Sequence, residues 1–145
     1  MLRVLIDTNI FLSGLFFKGN ERKILEMAAL GKIRLFLPEH VLIETQNIIQ
    51  RKSQCFGNQP QALNMLKQIT DKARIIPIRE YKAKLPKANK LIRDPKDAPI
   101  LAAVMSVQHD YFLSGDKDFQ VLEIPTHYTT KEALQKIQKN KNLST

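Results

Sequence analysis

The sequence predicts an α/β fold, a three-layer α/β/α sandwich around a central parallel sheet. Short continuous apolar runs at Arg3 to Ile6, Ile33 to Leu37, Ala73 to Ile78 and Tyr111 to Ser114 are dense in branched or aromatic residues, as strands buried on both faces require. Between them lie stretches with leucine, isoleucine and alanine at helical spacing. Strands alternating with helices give a parallel sheet covered on both sides. The 145 residues suit one domain, expected over residues 1–139, followed by a polar tail at 140–145 that frays.

Taken in order, the first strand is Arg3 to Ile6. The apolar run Ile10 to Phe17 follows as a short helix, with Asn9 as a suitable N-cap. Asn20 to Leu30 is a helix, and Gly31 takes its C′ position. After the strand Ile33 to Leu37, Pro38 suits the first turn of a helix reaching about Arg51. Pro60 opens a further helix over Gln61 to Ile69, and Ala73 to Ile78 is the third strand.

Lys82 to Asp94 is basic, broken by Pro86, and reads as irregular. A helix from about Asp97 to Gln108 leads into the strand Tyr111 to Ser114, then a Gly115 turn and a short helix near Phe119. A brief strand near His127 and Tyr128 precedes a capping box, Thr129-Thr130-Lys131-Glu132, which starts the last helix.

Composition narrows the partners. Hydrophobic content of 43% and charged content of 26% are those of a globular protein, and 23 basic against 14 acidic residues give +9. Such charge favours a polyanion, nucleic acid or an anionic surface. No apolar stretch approaches the roughly 20 residues that span a bilayer, so no membrane partner is expected. A first strand beginning at residue 3 leaves no room for a secretory signal. The single cysteine, Cys55, excludes an internal disulfide and a cysteine-based metal site, and is read as incidental. A reduced, cytoplasmic setting follows.

Against this basic field, four carboxylates fall where chemistry would need them. Asp7 ends the first strand and Asp116 follows the late one, in Ser114-Gly115-Asp116-Lys117-Asp118. Ligands of open α/β sheets bind outside the strand C-termini, so neighbouring strands would bring these two into one crevice. Glu44 lies on the second turn of the helix after strand two, and Asp97 starts the helix before the late strand. All four can converge.

Two carboxylates about 5 Å apart repel by roughly 3 kcal/mol at an effective dielectric near 20. Such a group holds protons or binds a cation. Mg²⁺ or Mn²⁺ takes oxygen ligands of this kind and shares them with substrate phosphate. Lys87, Lys90, Arg93 and Lys96 precede the central aspartate and Lys117 interrupts the last acidic pair, placed to grip the phosphates of a nucleic acid. Tyr81 is an aromatic available to stack a base.

Each residue also has a plainer reading. Asp7 would serve as a cap for the helix after it, Glu44 as a solvated residue paired with His40 four positions away, and Asp94 as the N-cap before Pro95. Asp116 and Asp118 would cap the short helix near Phe119. Pro99 disfavours a helix that starts much before Asp97, since a proline at the fifth position removes a helical bond.

Asp7-Thr8-Asn9, Pro38-x5-Glu44, Asp97-x2-Ile100-Leu101-Ala102-Ala103 and Ser114-Gly115-Asp116, in that order over residues 1 to 122, resemble the PIN domain family. Asp94-x2-Asp97 with Gly115-Asp116-Lys117-Asp118 is similar to a subgroup of its small prokaryotic members.

The resemblance implies a divalent-metal-dependent ribonuclease, in many small members the toxin of a toxin–antitoxin pair. It further implies an antitoxin protein as partner and a homodimer. It assigns Asp7, Glu44, Asp97 and Asp116 as catalytic and metal-holding residues. Asn9 would orient Asp7, Ser114 would set the site through its hydroxyl, and Asp118 and Asp94 would assist.

Two rivals stand beside this. A haloacid-dehalogenase-like phosphatase would use Asp7 as nucleophile but wants an aspartate where Asn9 stands. A non-catalytic RNA- or partner-binding module would need no metal.

Overall fold

The computed structural model describes residues 1–51 and 59–143. Cys55 lies outside the described residues, as do the last two positions of the tail. Five parallel strands form one sheet: β1 (Arg3–Ile6), β2 (Arg34–Pro38), β3 (Arg74–Ile76), β4 (Tyr111–Leu113) and β5 (His127–Tyr128), in spatial order β3-β2-β1-β4-β5. Register pairs Leu5 with Phe36 on one side and with Phe112 on the other, and Ile6 with Leu113. Val4, Leu5 and Ile6 are fully buried, which is why an unbroken apolar run occupies the central strand.

The helices are α1 (Thr8–Phe16), α2 (Asn20–Ala29), α3 (Glu39–Arg51), α4 (Gln59–Lys72), α5 (Leu85–Leu91), α6 (Ala98–Ser106), α7 (Lys117–Gln120) and α8 (Thr130–Leu143). One group, α1, α2 and α4, packs together with α8 against α2; a second, α5 and α6, packs together; α3 touches both α1 and α6. The three-layer sandwich follows. No helix among the described residues is long and apolar enough to cross a membrane.

Local chemistry sets the ends of these elements. Gly31 has φ of 76°, and the bonds Lys32 N–H to Met27 C=O (2.9 Å) and Gly31 N–H to Ala28 C=O (3.1 Å) make a Schellman motif closing α2. Thr129 and Glu132 exchange bonds of 2.9 and 3.2 Å, the expected capping box at the start of α8. Gly14 lets α1 and α2 touch: a Cβ there would lie 2.6 Å from Leu25 Cδ1 and 2.9 Å from the Glu21 carbonyl.

Several boundaries differ from expectation. The N-cap of α1 is Asp7 rather than Asn9, because the carboxylate reaches the Ile10 N–H at 2.9 Å. Pro38 ends β2, paired with Ile76, and the helix begins one residue later. The basic stretch after Lys82 is ordered: a 3₁₀ turn at Lys82–Lys84 runs into α5, whose first turn accommodates Pro86 since no N–H is needed there. Ala88 and Ile92 are its buried anchors. Helix α8 runs to Leu143.

Tyr81 is only 1% exposed, and its hydroxyl accepts the His40 N–H at 3.1 Å. It closes the N-terminus of α3 and has no face free to stack a base.

Candidate active site

The strand order changes direction at β1. The chain lays β2 and β3 on one side of it, then returns to place β4 on the other. That switch point is where open α/β sheets leave a crevice at their carboxyl ends. Asp7 follows β1 directly, and Ser114-Gly115-Asp116 follows β4.

Asp7 is 4% exposed and Ser114 is fully buried. The Ser114 hydroxyl bonds to the Asp7 carboxylate, and its oxygen accepts the Asp116 N–H at 3.0 Å. One hydroxyl thus joins the two strand ends. Burial nevertheless holds the Asp7 carboxyl above the usual range, despite the bonds from Ser114 and Ile10, and the Asp116 charge adds to the shift.

The third component arrives with α6. A 3₁₀ turn at Pro95–Asp97 is capped by Asp94, whose Oδ1 accepts the Lys96 N–H at 3.0 Å. Asp97 is then the N-cap of α6, yet its side chain accepts no capping bond, with Pro99 in the first turn. Its carboxylate is left for other partners, beside the positive end of the helix.

Carboxylate oxygens of Asp97, Asp116 and Asp118 all lie within 4.8 Å of one another. The Asp97 carboxyl is pushed up to about 7 by burial first, then by the charge of Asp116 and a hydrogen bond to it, and further by Asp94 and Asp7. A cation bound here would relieve the repulsion that raises the Asp97 carboxyl. The donors are hard carboxylate oxygens whose like charges are poorly compensated, which is what Mg²⁺ or Mn²⁺ requires and what a soft metal would not select.

Asp118 is reached by a short path. Its N–H bonds to Asp116 Oδ1 at 2.9 Å, starting α7, and buried Phe119 packs edge-on to Phe112 of β4 at 5.0 Å. That ring contact pins the Gly115 turn. Arg93 pairs with Asp118 through two bonds, Nε to Oδ1 at 2.9 Å and Nη2 to Oδ2 at 3.4 Å. Its side chain is 84% exposed, so the Asp118 carboxylate (13% exposed) is covered by a cation free to swing away.

Not every expected residue joins this group. Glu44 lies on α3, which packs against α6, but its carboxylate sits 3.5 Å from His40 Nε2, out of line for a hydrogen bond, and outside the acidic cluster. Asn9 is exposed on the first turn of α1, and its amide makes no hydrogen bond to Asp7. Lys87, Lys90, Arg93, Lys96 and Lys117 are all exposed, on α5, in the approach to α6 and at the start of α7.

Sequence reasoning passed over His127. Its Nε2 is 2.8 Å from the Ser114 carbonyl, fixing Ser114 from behind. The one available signal was the two-residue strand carrying it beside β4.

Two solved structures share this architecture. VapBC2 from Rickettsia felis, bound to a DNA fragment from its promoter, superposes with a TM-score of 0.61 at 16% identity, covering 84% of this chain and 94% of that one. VapC20 of Mycobacterium tuberculosis, a toxin that cleaves the sarcin-ricin loop, gives 0.52 at 16% identity, covering 83% and 95%. At these identities the likeness concerns the fold. Curated protein sequences return no significant match. The sequence pattern of the PIN domain, however, matches residues 3–118, a span that carries β1 through β4 and every carboxylate of the cluster. By that match the chain belongs to the PIN domain family.

Proposed function

We propose that the protein is a divalent-metal-dependent ribonuclease that hydrolyses RNA phosphodiester bonds. The observation that carries this reading is the group of poorly neutralised carboxylates at the topological switch point, with Asp97 raised to about 7 by burial and by its acidic neighbours. Asp7, Asp97, Asp116 and Asp118 would hold Mg²⁺ or Mn²⁺, with Glu44 brought in from α3 by breaking its contact with His40. When bound, the metal supplies charge neutralisation at the phosphate and activation of water.

The chain's own residues do the remaining work. The Ser114 hydroxyl holds Asp7 and Asp116 in fixed relation, and the His127 bond to the Ser114 carbonyl keeps that strand end in place. Lys87, Lys90, Lys96 and Lys117 would take the phosphates flanking the scissile bond. Arg93 would join them on leaving Asp118. Asp7 acts as a ligand rather than a nucleophile: its Oδ1 is committed to the Ile10 N–H, and the position a phosphatase would fill with aspartate is Asn9.

The two structural neighbours support a toxin with a protein partner, while the cytoplasmic setting and the homodimer rest on the sequence reading alone. The protein would be the toxin of a type II toxin–antitoxin pair, working in the cytoplasm, held inactive by a small antitoxin protein and assembling as a homodimer. End-labelled single-stranded RNA incubated with purified protein in Mn²⁺, in Mg²⁺ and in EDTA, with Asp7→Asn alongside, tests the activity. Cleavage is expected in either metal and lost in EDTA and in the variant. RNA bound but uncut in every metal would favour a non-catalytic binding module.

A further inference from the structure

A cavity of about 240 Å³ opens directly off the acidic cluster, with Ser114, Gly115 and Asp116 as one wall. It is smaller than the roughly 300–1,000 Å³ of sites for drug-sized ligands, a volume for one base rather than a stretch of chain. Across from Asp116 the lining comes from the segment joining α7 to β5 and from the start of α8. Gln120, Glu123 and Glu132 supply polar groups there, and Ile124 and Tyr128 supply flat or apolar surface.

The donor and acceptor inventory is unusual for a pocket that would face RNA. A carboxylate only accepts hydrogen bonds. Glu132 already spends Oε1 on the Thr129 N–H, while the Glu123 carboxylate makes no hydrogen bond or ion pair among the described residues, its backbone N–H alone bonding to the Gln120 carbonyl at 3.3 Å. Glu123 is also the single non-glycine residue with positive φ among them, at 53°. Side chains with a Cβ disfavour that region, so the loop places Glu123 against its local preference.

Two adjacent N–H donors on one edge complement a carboxylate. Among the four RNA bases only guanine presents them, N1–H beside N2–H₂. Adenine, cytosine and uracil each offer a single donor position on that edge, with an acceptor rather than a second donor beside it. His127 gives Nε2–H to the Ser114 carbonyl, so its other ring nitrogen is the acceptor form in the neutral imidazole.

We infer that this cavity is a guanine-selective subsite next to the scissile phosphate, with Glu123 reading the Watson–Crick edge and Gln120 adding an amide donor. The inference rests on the ribonuclease reading for its position in the reaction but not for the binding itself. A guanosine seated there would have its phosphate beside Asp116, because cavity and cluster share that wall. Lys136, whose Nζ lies 4.9 Å from the centroid of the Tyr128 ring, stands ready for a neighbouring phosphate.

The test uses the four nucleosides in EDTA, which removes both metal and phosphate from the question. Backbone amide shifts of Gln120, Glu123, His127 and Tyr128 are followed through titration with guanosine, adenosine, cytidine and uridine. Guanosine is expected to bind at least five-fold more tightly than the others. Glu123→Gly removes the carboxylate while suiting the left-handed backbone, so the fold is retained and the preference should vanish.

Equal affinity for all four nucleosides, or a preference untouched by Glu123→Gly, overturns the inference. Mapping the cut sites separates it from the reading beneath. Metal-dependent cleavage with no guanine at the cut leaves the ribonuclease and overturns the subsite. Guanosine selectivity with no RNA cleavage leaves the subsite and removes the ribonuclease.

Discussion

Replacing Asp97 by asparagine should stabilise the metal-free protein. Its carboxylate oxygens approach those of Asp116 and Asp118 within 4.8 Å. A like-charged pair at that separation repels by about 3 kcal/mol at an effective dielectric near 20. Water reaches this half-exposed group, and screening leaves about 1–2 kcal/mol. For a domain of this size each kcal/mol is worth about 3–4 °C, so Asp97→Asn in EDTA should melt about 3–8 °C above the wild type at pH 8.

The pH dependence has a fixed sign. A carboxyl raised to about 7 in the folded state binds a proton there that the unfolded chain releases near 4. Stability from this group is therefore greatest at low pH and falls as pH rises from about 4 to about 7. Asp97→Asn should flatten that part of the profile, and the advantage of the variant should shrink below pH 5.

Saturating Mn²⁺ should reverse the order. At a hundred times its dissociation constant a cation adds about 2.7 kcal/mol to the wild type, which the variant lacks. Thermal melts in EDTA and in Mn²⁺ across pH 5–8 measure all three effects. A lower melting temperature for Asp97→Asn in EDTA at pH 8 would refute the reasoning, since the carboxylate would then be a structural group.

Two more outcomes follow from other parts of the molecule. Gly14→Ala sets a Cβ 2.6 Å from Leu25 Cδ1 and 2.9 Å from a carbonyl oxygen in α2, so it should cost about 1–3 kcal/mol in denaturant unfolding; a neutral result would mean that α1 and α2 separate freely. RNA affinity should fall with salt at a log–log slope near −0.7 per phosphate gripped, and Arg93→Ala should reduce that slope by about 0.7, while a flat salt response would remove the basic residues from the binding argument.

Much of the fold was legible because its strands carry their signal locally. Val4-Leu5-Ile6 and Tyr111-Phe112-Leu113 are buried on both faces and read as strands without help from distant residues. Their neighbours in the sheet follow from parallel topology, which is why Asp7 and Asp116 could be placed at one edge in advance. Asp97 was legible for a related reason, since Pro99 forces α6 to begin beside it.

The misread parts depend on contacts far away in sequence. Tyr81 reads as an exposed aromatic in a basic stretch until α3 arrives to receive its hydroxyl, forty-one residues upstream. Pro86 reads as a break, although a first helical turn tolerates it when Ala88 and Ile92 have a core to enter. Glu44 and His40 share a helix face, and their mutual contact, not the helix position, sets where the carboxylate points. Asp118, two residues past Asp116, carries no local sign in the sequence that its side chain turns back toward Asp116. The turn comes from Phe119, packed on Phe112, and from the Asp116 cap that tightens it.

The account stands on the carboxylate cluster being a cation site. Calorimetric titration of Mn²⁺ at pH 6, repeated in buffers of different ionisation heat, measures binding and proton release together. Binding in the wild type with release of most of one proton, lost in Asp97→Asn and Asp116→Asn, is the predicted result. No binding at millimolar Mn²⁺, or binding unchanged in both variants, would contradict it and leave these aspartates as caps of α6 and α7.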